Sequence, residues 1–208
     1  MILSDNEILD RVENYSAYGL DEPMIVPFER DRLQGASYDL KINEYIYTVS
    51  HSNFPIDLAY QEQIDELYEE RNITDGYELH PGEFILCTLD IILNLPKDLA
   101  CHIRERTRFI RMGLQTNFQH VNPLSTTRIN VGLFNASPNI IIIYPGTGIG
   151  QMVFDEITSI PMKQYKLSSG IYVQDIKFVG AKTQNEFEKH LEDEYAEMMK
   201  VLSGNEYK

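Results

Sequence analysis

The sequence EFILCTLDIILNLPKDLACHIR, residues 83–104, alternates short apolar runs with turn residues. Residues 83–86, 91–95 and 100–104 each have the length of a strand, and Pro96-Lys97-Asp98 separates the last two. Further short runs of the same kind follow at residues 128–134, 140–144 and 151–154. Many short strands without long intervening helices predict an all-β barrel or sandwich.

Before this stretch, the chain shows a helix signal and then extended patterns. Ser4-Asp5-Asn6-Glu7 has the spacing of a capping box, which predicts a short helix whose charged residues, Arg11 among them, lie outward. Residues 24–28 are short and interrupted by a proline, which indicates an edge strand. Residues 38–42 alternate apolar with charged side chains at the period of a strand.

Two other segments depart from the strand pattern and set the expected domain organisation. Residues 51–76 are partly acidic and lack a regular period, which indicates an insertion that is partly helical. Thr183-x-x-Glu186 is a second capping box, and apolar residues then recur on one helix face. We therefore expect a β-rich domain over residues 1–182, with 51–76 as its insertion, and an amphipathic helical extension over residues 183–204.

The composition indicates a folded domain and excludes several classes of protein. The 208 residues are 43% hydrophobic and 24% charged, which is typical of globular proteins. The net charge of −14 is opposite in sign to that of proteins that bind nucleic acid polymers. No signal peptide and no apolar run of membrane-spanning length is recognisable, so we expect no membrane association. Two cysteines are too few for a disulfide framework, which favours a reducing, cytoplasmic location.

Positive charge is concentrated in one segment of this acidic chain. Residues 101–128 contain five arginines and one acid, a net charge of +4, which leaves −18 for the remainder. If the chain stays extended through Arg108, then Arg104, Arg106 and Arg108 share one face, because a strand has a period of two. Arginine forms bidentate, charge-assisted bonds to phosphate oxygens. The segment therefore predicts either a site for a small anionic ligand or a ladder of surface ion pairs.

Common cofactor and metal motifs do not account for this chain. The sequence GTGIG, residues 146–150, precedes a predicted strand rather than a helix, which favours a turn over a dinucleotide site. The sequence has no P-loop, no H-E-x-x-H and no C-x-x-C motif, and its five histidines are scattered. We therefore predict no metal ion that is held by the protein itself.

Several stretches resemble, in order, the signatures of the dCTP deaminase family. Residues 106–114 stand where that family has an arginine-serine-serine loop that ends in arginine-x-glycine-leucine. The other matching stretches are MILSD (1–5), LQGASYDL (33–40), LHPGEFIL (79–86), TLD (88–90), LPKDL (95–99) and GIGQMVF (148–154). The chain is thus identified as a member of the dCTP deaminase/dUTPase superfamily, and it is most similar to the deaminases.

The resemblance implies a distorted dUTPase-like β-barrel and a homotrimer with nucleotide sites between subunits. In this family no metal activates the attacking water, and Mg²⁺ accompanies the triphosphate. Carried over residue by residue, Arg106 and Arg111 match arginines that bind phosphate or act in catalysis. Thr107 replaces the first serine of the loop and keeps a hydroxyl group, whereas Arg108 replaces the second serine and does not.

The sequence departs from the family at the positions that move protons. Deaminases use a glutamate during attack at C4 of cytosine, and alignment on Phe134-Asn135 places Gly132 at that position. Asn122 stands where dUTPases have a carboxylate base. General acid–base catalysis typically contributes about 10²–10⁴-fold, and both familiar bases are missing. His120, in the same loop as Asn122, is a candidate substitute because histidine changes charge near neutral pH.

The tail supplies the last candidate residues. Residues 168–174 loosely resemble the segment that closes over nucleotide in deaminases, so Tyr172, Gln174 and Lys177 are either lid residues or ordinary strand residues. The candidate catalytic residues are Arg111, Thr107 and His120. The candidate nucleotide contacts are Arg106, Thr107, Arg108, Arg111, Asn122, Tyr172, Gln174 and Lys177.

Three functions are compatible with these residues. The first is a dCTP deaminase-like hydrolase that converts dCTP to dUTP in pyrimidine deoxynucleotide metabolism. The second is a protein that senses or sequesters a deoxynucleotide without deaminating it, which Gly132, Asn122 and the added charge of Arg108 favour. The third is a dUTPase-like phosphohydrolase whose base is not evident in the sequence.

Overall fold

The computed structural model describes residues 1–117, 119–161 and 177–183, and its secondary structure is mainly β. The helices are α1 (Asp5–Glu13), α2 (Gln61–Asp65) and α3 (Thr107–Ile110). The strands are β1 (Ile25–Val26), β2 (Leu33–Gln34), β3 (Ser37–Val49), β4 (Tyr68–Asn72), β5 (Tyr77–Leu79), β6 (Phe84–Leu89), β7 (Ile92–Asn94), β8 (Leu99–Glu105), β9 (Leu114–Thr116), β10 (Gln119–Val121), β11 (Thr126–Thr127), β12 (Asn130–Asn135), β13 (Ile141–Ile143) and β14 (Gly148–Glu156). The predicted mainly β class is confirmed. The expected C-terminal helix lies outside the described residues except for Thr183.

The larger of two compact units comprises Met1–Thr48 and Glu70–Phe178. Its main sheet follows one antiparallel path, β10-β8-β14-β3-β6-β12-β9. The long strand β3 pairs with β14 through its first half and with β6 through its second half, and the register shifts in between. This division curls the sheet, because one strand joins its two halves. The shorter strands form two further sheets, β1-β7-β11 and β5-β13.

The core lies on the inner face of the curled sheet. Along β8, Cys101 and Ile103 are buried, whereas His102 and Arg104 point to the outer face. The period-two pattern of the sequence therefore separates a core face from a face that is free to carry polar chemistry. Burial of each Leu or Ile side chain contributes about 1.5–3 kcal/mol, which makes this inner face the main source of stability.

Helix α1 begins as its sequence predicts but buries one unexpected residue. Ser4 and Glu7 form both hydrogen bonds of the capping box, which confirms the predicted start. Ile8 and Val12 pack into the core. Arg11 was expected to face outward and does not: it is 6% exposed, and its Nη1 lies 2.7 Å from Asp98 Oδ2. The pairing with Asp98 compensates the burial of this charge.

Of the described residues, the second unit comprises Val49–Glu69 and residues 179–183. Within it, the Oγ1 of Thr183 donates to the carbonyl of Leu58 at 2.6 Å, and the backbone N–H of Ala181 donates to the hydroxyl of Tyr68 at 3.0 Å. The segment predicted as an insertion, 51–76, thus supplies most of its sequence to this unit and the rest to the first. None of the helices in the described ranges has the length and apolarity needed to cross a lipid bilayer.

Candidate functional site

The arginine-rich segment turns into a helix earlier than the sequence pattern predicts. Strand β8 ends at Glu105, and Arg106 is the N-cap of α3. The expectation that the chain stays extended through Arg108 is therefore wrong. The turn is stabilised by backbone bonds from Phe109 to Arg106 at 2.9 Å and from Arg111 to Thr107 at 3.1 Å. The three arginines at 104, 106 and 108 accordingly do not form one row along a strand.

Gly113 ends this helical turn. Its φ of +83° is a conformation that favours glycine, and a Cβ there would lie 2.9 Å from the Cβ of Ser137. The positive φ and the close approach to Ser137 thus explain why glycine stands in the arginine-x-glycine-leucine ending of this loop. The glycine lets the chain turn back into strand β9.

Arg106 is held by a carboxylate of its own chain. Its Nη2 donates to Oδ2 of Asp39 at 2.8 Å, and the Asp39 side chain is 13% exposed. The other carboxylate oxygen of Asp39 is buried and has no hydrogen-bond partner among the described residues. Asp39 lies on β3 next to β14, so the curl of the sheet brings it to the arginine.

Arg108 reaches the same place from the helical turn. Its Nη2 donates to the carbonyl of Gly148 at 3.4 Å. A Cβ at Gly148 would lie 2.8 Å from Nη1 of Arg106 and 3.1 Å from Nη2 of Arg108. Both guanidinium groups therefore converge on the bare backbone of Gly148, where β14 begins. Among the described residues, the ion pair recorded for these two guanidinium groups is that of Arg106 with Asp39, so Arg108 offers positive charge that an anion can meet.

The remaining residues of the loop face solvent. Thr107 and Arg111 are exposed. The backbone N–H of Arg111 donates to the carbonyl of Thr107, and this bond closes the turn. Glu105, the one acid of this segment, accepts the backbone N–H of Thr116 at 3.1 Å. Its carboxylate therefore holds β9 close to the end of β8. Arg104 is exposed on the outer face of β8.

Gly132 leaves no room for a side chain. It lies on β12 opposite Leu86 of β6 and is buried. A Cβ there would lie 2.6 Å from Nδ2 of Asn117 and 2.7 Å from Cε2 of the Phe84 ring. A carboxylate at this position would require Phe84 and Asn117 to move. The place at which the deaminase glutamate was aligned is therefore packed with other atoms.

His120 is part of a hydrogen-bonded chain across three neighbouring strands. Its Nδ1 lies 3.0 Å from Nε2 of His102, and Nδ1 of His102 lies 3.0 Å from Oδ2 of Asp155. On the other side, its Nε2 lies 3.2 Å from Oδ1 of Asn122. We call these four residues, Asp155, His102, His120 and Asn122, the histidine chain. Sequence reasoning identified His120 and Asn122 but missed His102 and Asp155.

A weak signal for the two missed residues is present in the sequence. His102 occupies an outward position between Ala100 and Arg104 of a predicted strand, where a polar side chain needs no explanation. Asp155 follows Phe154 directly at the end of the last predicted strand. Their meeting depends on the pairing of β14 with β8, which no local pattern specifies.

Lys177 lies at a different cleft. It lines a cleft of about 580 Å³ together with Tyr47, Glu70, Arg128 and Phe178. The rings of Tyr47 and Phe178 stack with centroids 3.5 Å apart, and burial together with Glu70 raises the pKa of Tyr47. Arg106 and Arg108 do not line this cleft. The other two candidate lid residues, Tyr172 and Gln174, lie outside the described residues.

No protein-held metal site is found in the part of the chain that the structure describes. No group of three or more His, Cys, Asp or Glu side chains is arranged there to bind an ion. The histidine chain contributes two imidazoles and one carboxylate, but they bond to one another in a line.

The fold and the arginine cluster together define a class of protein. A curled antiparallel sheet with a loop of guanidinium groups at the start of its last strand agrees with the superfamily of dCTP deaminases and dUTPases. The chain belongs to the dCTP deaminase-like family, which matches residues 2–157. The predicted resemblance is thereby confirmed.

Individual relatives agree with this assignment. The chain is 28% identical to the dUMP-forming dCTP deaminase of Streptomyces coelicolor, over 76% of this chain and 82% of that protein. It is 29% identical to the dCTP deaminase of Haloarcula marismortui, over 82% of this chain and 88% of that protein. The solved 2′-deoxycytidine 5′-triphosphate deaminase of Agrobacterium tumefaciens shares the fold with a TM-score of 0.59 at 18% identity, over 75% of this chain and 48% of that chain.

Proposed function

We propose that this chain binds a pyrimidine deoxynucleoside phosphate through the cluster of Arg106 and Arg108 at Gly148. One observation carries the proposal: two guanidinium groups converge on the backbone of Gly148, and the carboxylate paired with them among the described residues, that of Asp39, bonds to Arg106. A bound phosphoryl group supplies the missing negative charge and accepts from the free N–H groups. The names of the relatives, a dUMP-forming dCTP deaminase and a 2′-deoxycytidine 5′-triphosphate deaminase, support a deoxynucleotide as the ligand.

Thr107 and Arg111 complete the proposed phosphate site. Both side chains are exposed on the same turn as Arg108, so they are accessible to a ligand that reaches Gly148. Mg²⁺ would enter with the triphosphate and neutralise part of its charge. The family resemblance implies that the phosphate oxygens of the nucleotide hold this ion.

The rest of the ligand would be held by residues that lie elsewhere in the sequence. We propose that Asn122 contacts the nucleoside and that Tyr172, Gln174 and Lys177 contribute from the tail. The family resemblance favours a homotrimer with nucleotide sites between subunits. A cytoplasmic location fits a protein of deoxynucleotide metabolism.

Position 132 does not supply the proton transfer that the resemblance assigns to it. Gly132 has no side chain, and Phe84 and Asn117 fill the space in front of it. Two outcomes are compatible with nucleotide binding: turnover through another group, or capture of the nucleotide without turnover. A dUTPase-like phosphohydrolase is the third, with cleavage of the phosphate chain in place of loss of ammonia.

Calorimetry with dCTP tests the binding site. Arg108→Ala should weaken binding by about 10- to 100-fold, since a hydrogen bond to a charged group contributes about 1.5–3 kcal/mol. Arg108 is exposed and bonds only weakly to Gly148, so this variant should fold normally. Arg30→Ala, which removes an exposed arginine from a different part of the fold, is the matched control.

Two readouts separate the possible outcomes. Equal dCTP affinity in wild type and Arg108→Ala would remove the arginine cluster as the binding site. Chromatography of the same mixtures detects dUTP or dUMP if the cytosine is deaminated. The mass of the trimer in light scattering tests the proposed assembly.

A further inference from the structure

The histidine chain has a fixed order of donors and acceptors. A carboxylate only accepts, so the Nδ1 of His102 must carry the hydrogen that faces Asp155. Neutral His102 then offers its Nε2 as an acceptor, and His120 must donate to it from Nδ1. His120 is thereby left with Nε2 as the nitrogen that points away from the chain. Asp155 thus sets the tautomer of both rings.

The outer end of the histidine chain is the Nε2 of His120. It lies 3.2 Å from the side-chain amide of Asn122, which follows His120 by two residues in the same loop. An imidazole nitrogen accepts a proton only through its single in-plane lone pair, so a proton moves between Nε2 and a ligand when the Asn122 amide has turned away from this nitrogen. An exposed imidazole whose other nitrogen is held by a hydrogen bond is suited to transfer a proton to a neighbouring molecule.

The His120 end of the histidine chain is accessible to a ligand, and the carboxylate of Asp155 contacts the other end. His102 and Asp155 are about one third exposed, and His120 is exposed. On the outer face, Val153 of β14 lies opposite His102, and Gln151 lies opposite Arg104. The charged groups on the neighbouring positions are Arg104 on β8 and Asp155 and Glu156 on β14. Glu156 lies 3.7 Å from Arg11.

We propose that His120 is the proton-transfer group of this protein and takes the role that Gly132 cannot fill. This inference rests on the proposed binding of a cytosine deoxynucleotide. His102 and Asp155 are positioning residues, because they act on the substrate only through His120. Asn122, next to His120 in the same loop, is the proposed contact to the nucleoside and brings the ligand to Nε2.

The reaction balances with water as the only co-reactant. The water oxygen bonds to C4 of cytosine, Nε2 of His120 takes one water proton, and the electron pair of the C4–N3 double bond moves to N3. The protonated histidine then gives its proton to the amino group at C4. The C4–N bond breaks, ammonia leaves, and the N3 pair reforms the double bond. A proton shift from the C4 hydroxyl to N3 yields uracil, and His120 returns to its first state.

Kinetics with matched histidine variants test the role of His120. In full-length protein, His120→Gln should lower the rate of dUTP or dUMP formation from dCTP by about 10²–10⁴-fold. Its dCTP affinity by calorimetry should stay within roughly threefold of wild type, since the phosphates are bound by the arginine cluster. His80→Gln, an exposed histidine of a separate turn, should retain the wild-type rate.

A positioning role for Asp155 has its own signature. Asp155→Asn removes the charge that balances the protonated chain, so the acid limb of the pH–rate profile should move to lower pH. Nitrogen-15 NMR of wild type should show the Nδ1–H tautomer for His102, and this signal should change in Asp155→Asn. A loss of rate without either change would mean that Asp155 supports the fold only.

Each remaining outcome contradicts either the proposed role of His120 or the proposed nucleotide binding on which that role rests. Wild-type turnover that survives in His120→Gln overturns the role of His120. Tight dCTP binding without any product from wild type also overturns it, and leaves a capture protein. Absence of dCTP binding by calorimetry overturns the proposed function itself.

Discussion

Arg106 Nη2 and Asp39 Oδ2 lie 2.8 Å apart, so the first arginine of the cluster is held by its own chain before any ligand arrives. The bond orients the guanidinium and leaves its Nη1 directed towards Gly148. Arg108 approaches the same backbone, and no carboxylate in the described ranges is paired with it. One arginine is thus pre-organised and the other supplies the excess charge, a division that lowers the ordering cost of anion binding.

Neutralising Asp39 should therefore strengthen anion binding. Asp39→Asn keeps an acceptor for Arg106 but removes the negative charge that competes with phosphate. We expect dCTP to bind more tightly by roughly fivefold, about 1 kcal/mol, in calorimetry at low salt. Asp31→Asn, an exposed acid outside the cluster, should bind like wild type. Weaker binding in Asp39→Asn would show that Asp39 assists the ligand instead of competing with it.

Restoring a carboxylate at position 132 should not restore a deaminase site. Gly132→Glu forces a side chain into the Phe84 ring and Asn117, and Gly132→Ala already overpacks the site at a cost of about 1–3 kcal/mol. Denaturant unfolding measures this cost. Gly35→Ala is the matched control, because a Cβ there meets open space. A stable Gly132→Glu variant with a faster deamination rate would contradict the packing described for β12.

Removing the buried Arg32 should destabilise the fold more than any exposed arginine does. Its side chain is 2% exposed, and its two terminal nitrogens each lie 2.9 Å from an oxygen of Asp90. Arg32→Met leaves Asp90 without its partner, so we expect a loss of about 3 kcal/mol in the free energy of unfolding. Arg30→Ala in the same helical turn should change it by less than about 0.5 kcal/mol. Equal values for the two variants would mean that water replaces the lost partner at Asp90.

The two cysteines should be unreactive in the folded protein. Burial raises the pKa of the Cys87 thiol to about 12 and raises the pKa of Cys101 as well. A thiol reagent at pH 8 should therefore label neither residue until denaturant is added. Because folding disfavours the thiolates, stability should also fall as the pH rises above about 9, where the unfolded thiols ionise. Rapid labelling of native protein would show that the core opens on the time scale of the assay.

Local sequence patterns predict most of the strands but not the chemistry of the site. The short apolar runs that form β8 and β12 are recognisable within their own segments, and the capping box at Ser4 is recognisable within four residues. The features that local patterns do not predict depend on residues that are far away in the sequence. Arg11 turns inward and pairs with Asp98, and the extended arginine row does not form because β8 ends at Glu105 and α3 begins at Thr107.

The histidine chain shows the same limit most clearly. His102 and Asp155 are 53 residues apart and His120 is 18 residues from His102, so only the pairing of β10, β8 and β14 brings them together. The sequence presents His120 as a single histidine. Similarly, the sequence alone shows that Gly132 lacks the expected carboxylate. Only the structure shows that the Phe84 ring of the neighbouring strand β6 fills the space where a side chain would lie.

Gly148 offers a way to sort relatives without solving their structures. A Cβ there would lie 2.8 Å from Nη1 of Arg106 and 3.1 Å from Nη2 of Arg108, so any larger residue displaces the ends of both arginine side chains from their present positions. Homologues that keep glycine at 148 together with both arginines should share the same ligand chemistry. A homologue in which Gly148 and both arginines are replaced would belong to a branch of the family with a different ligand or function.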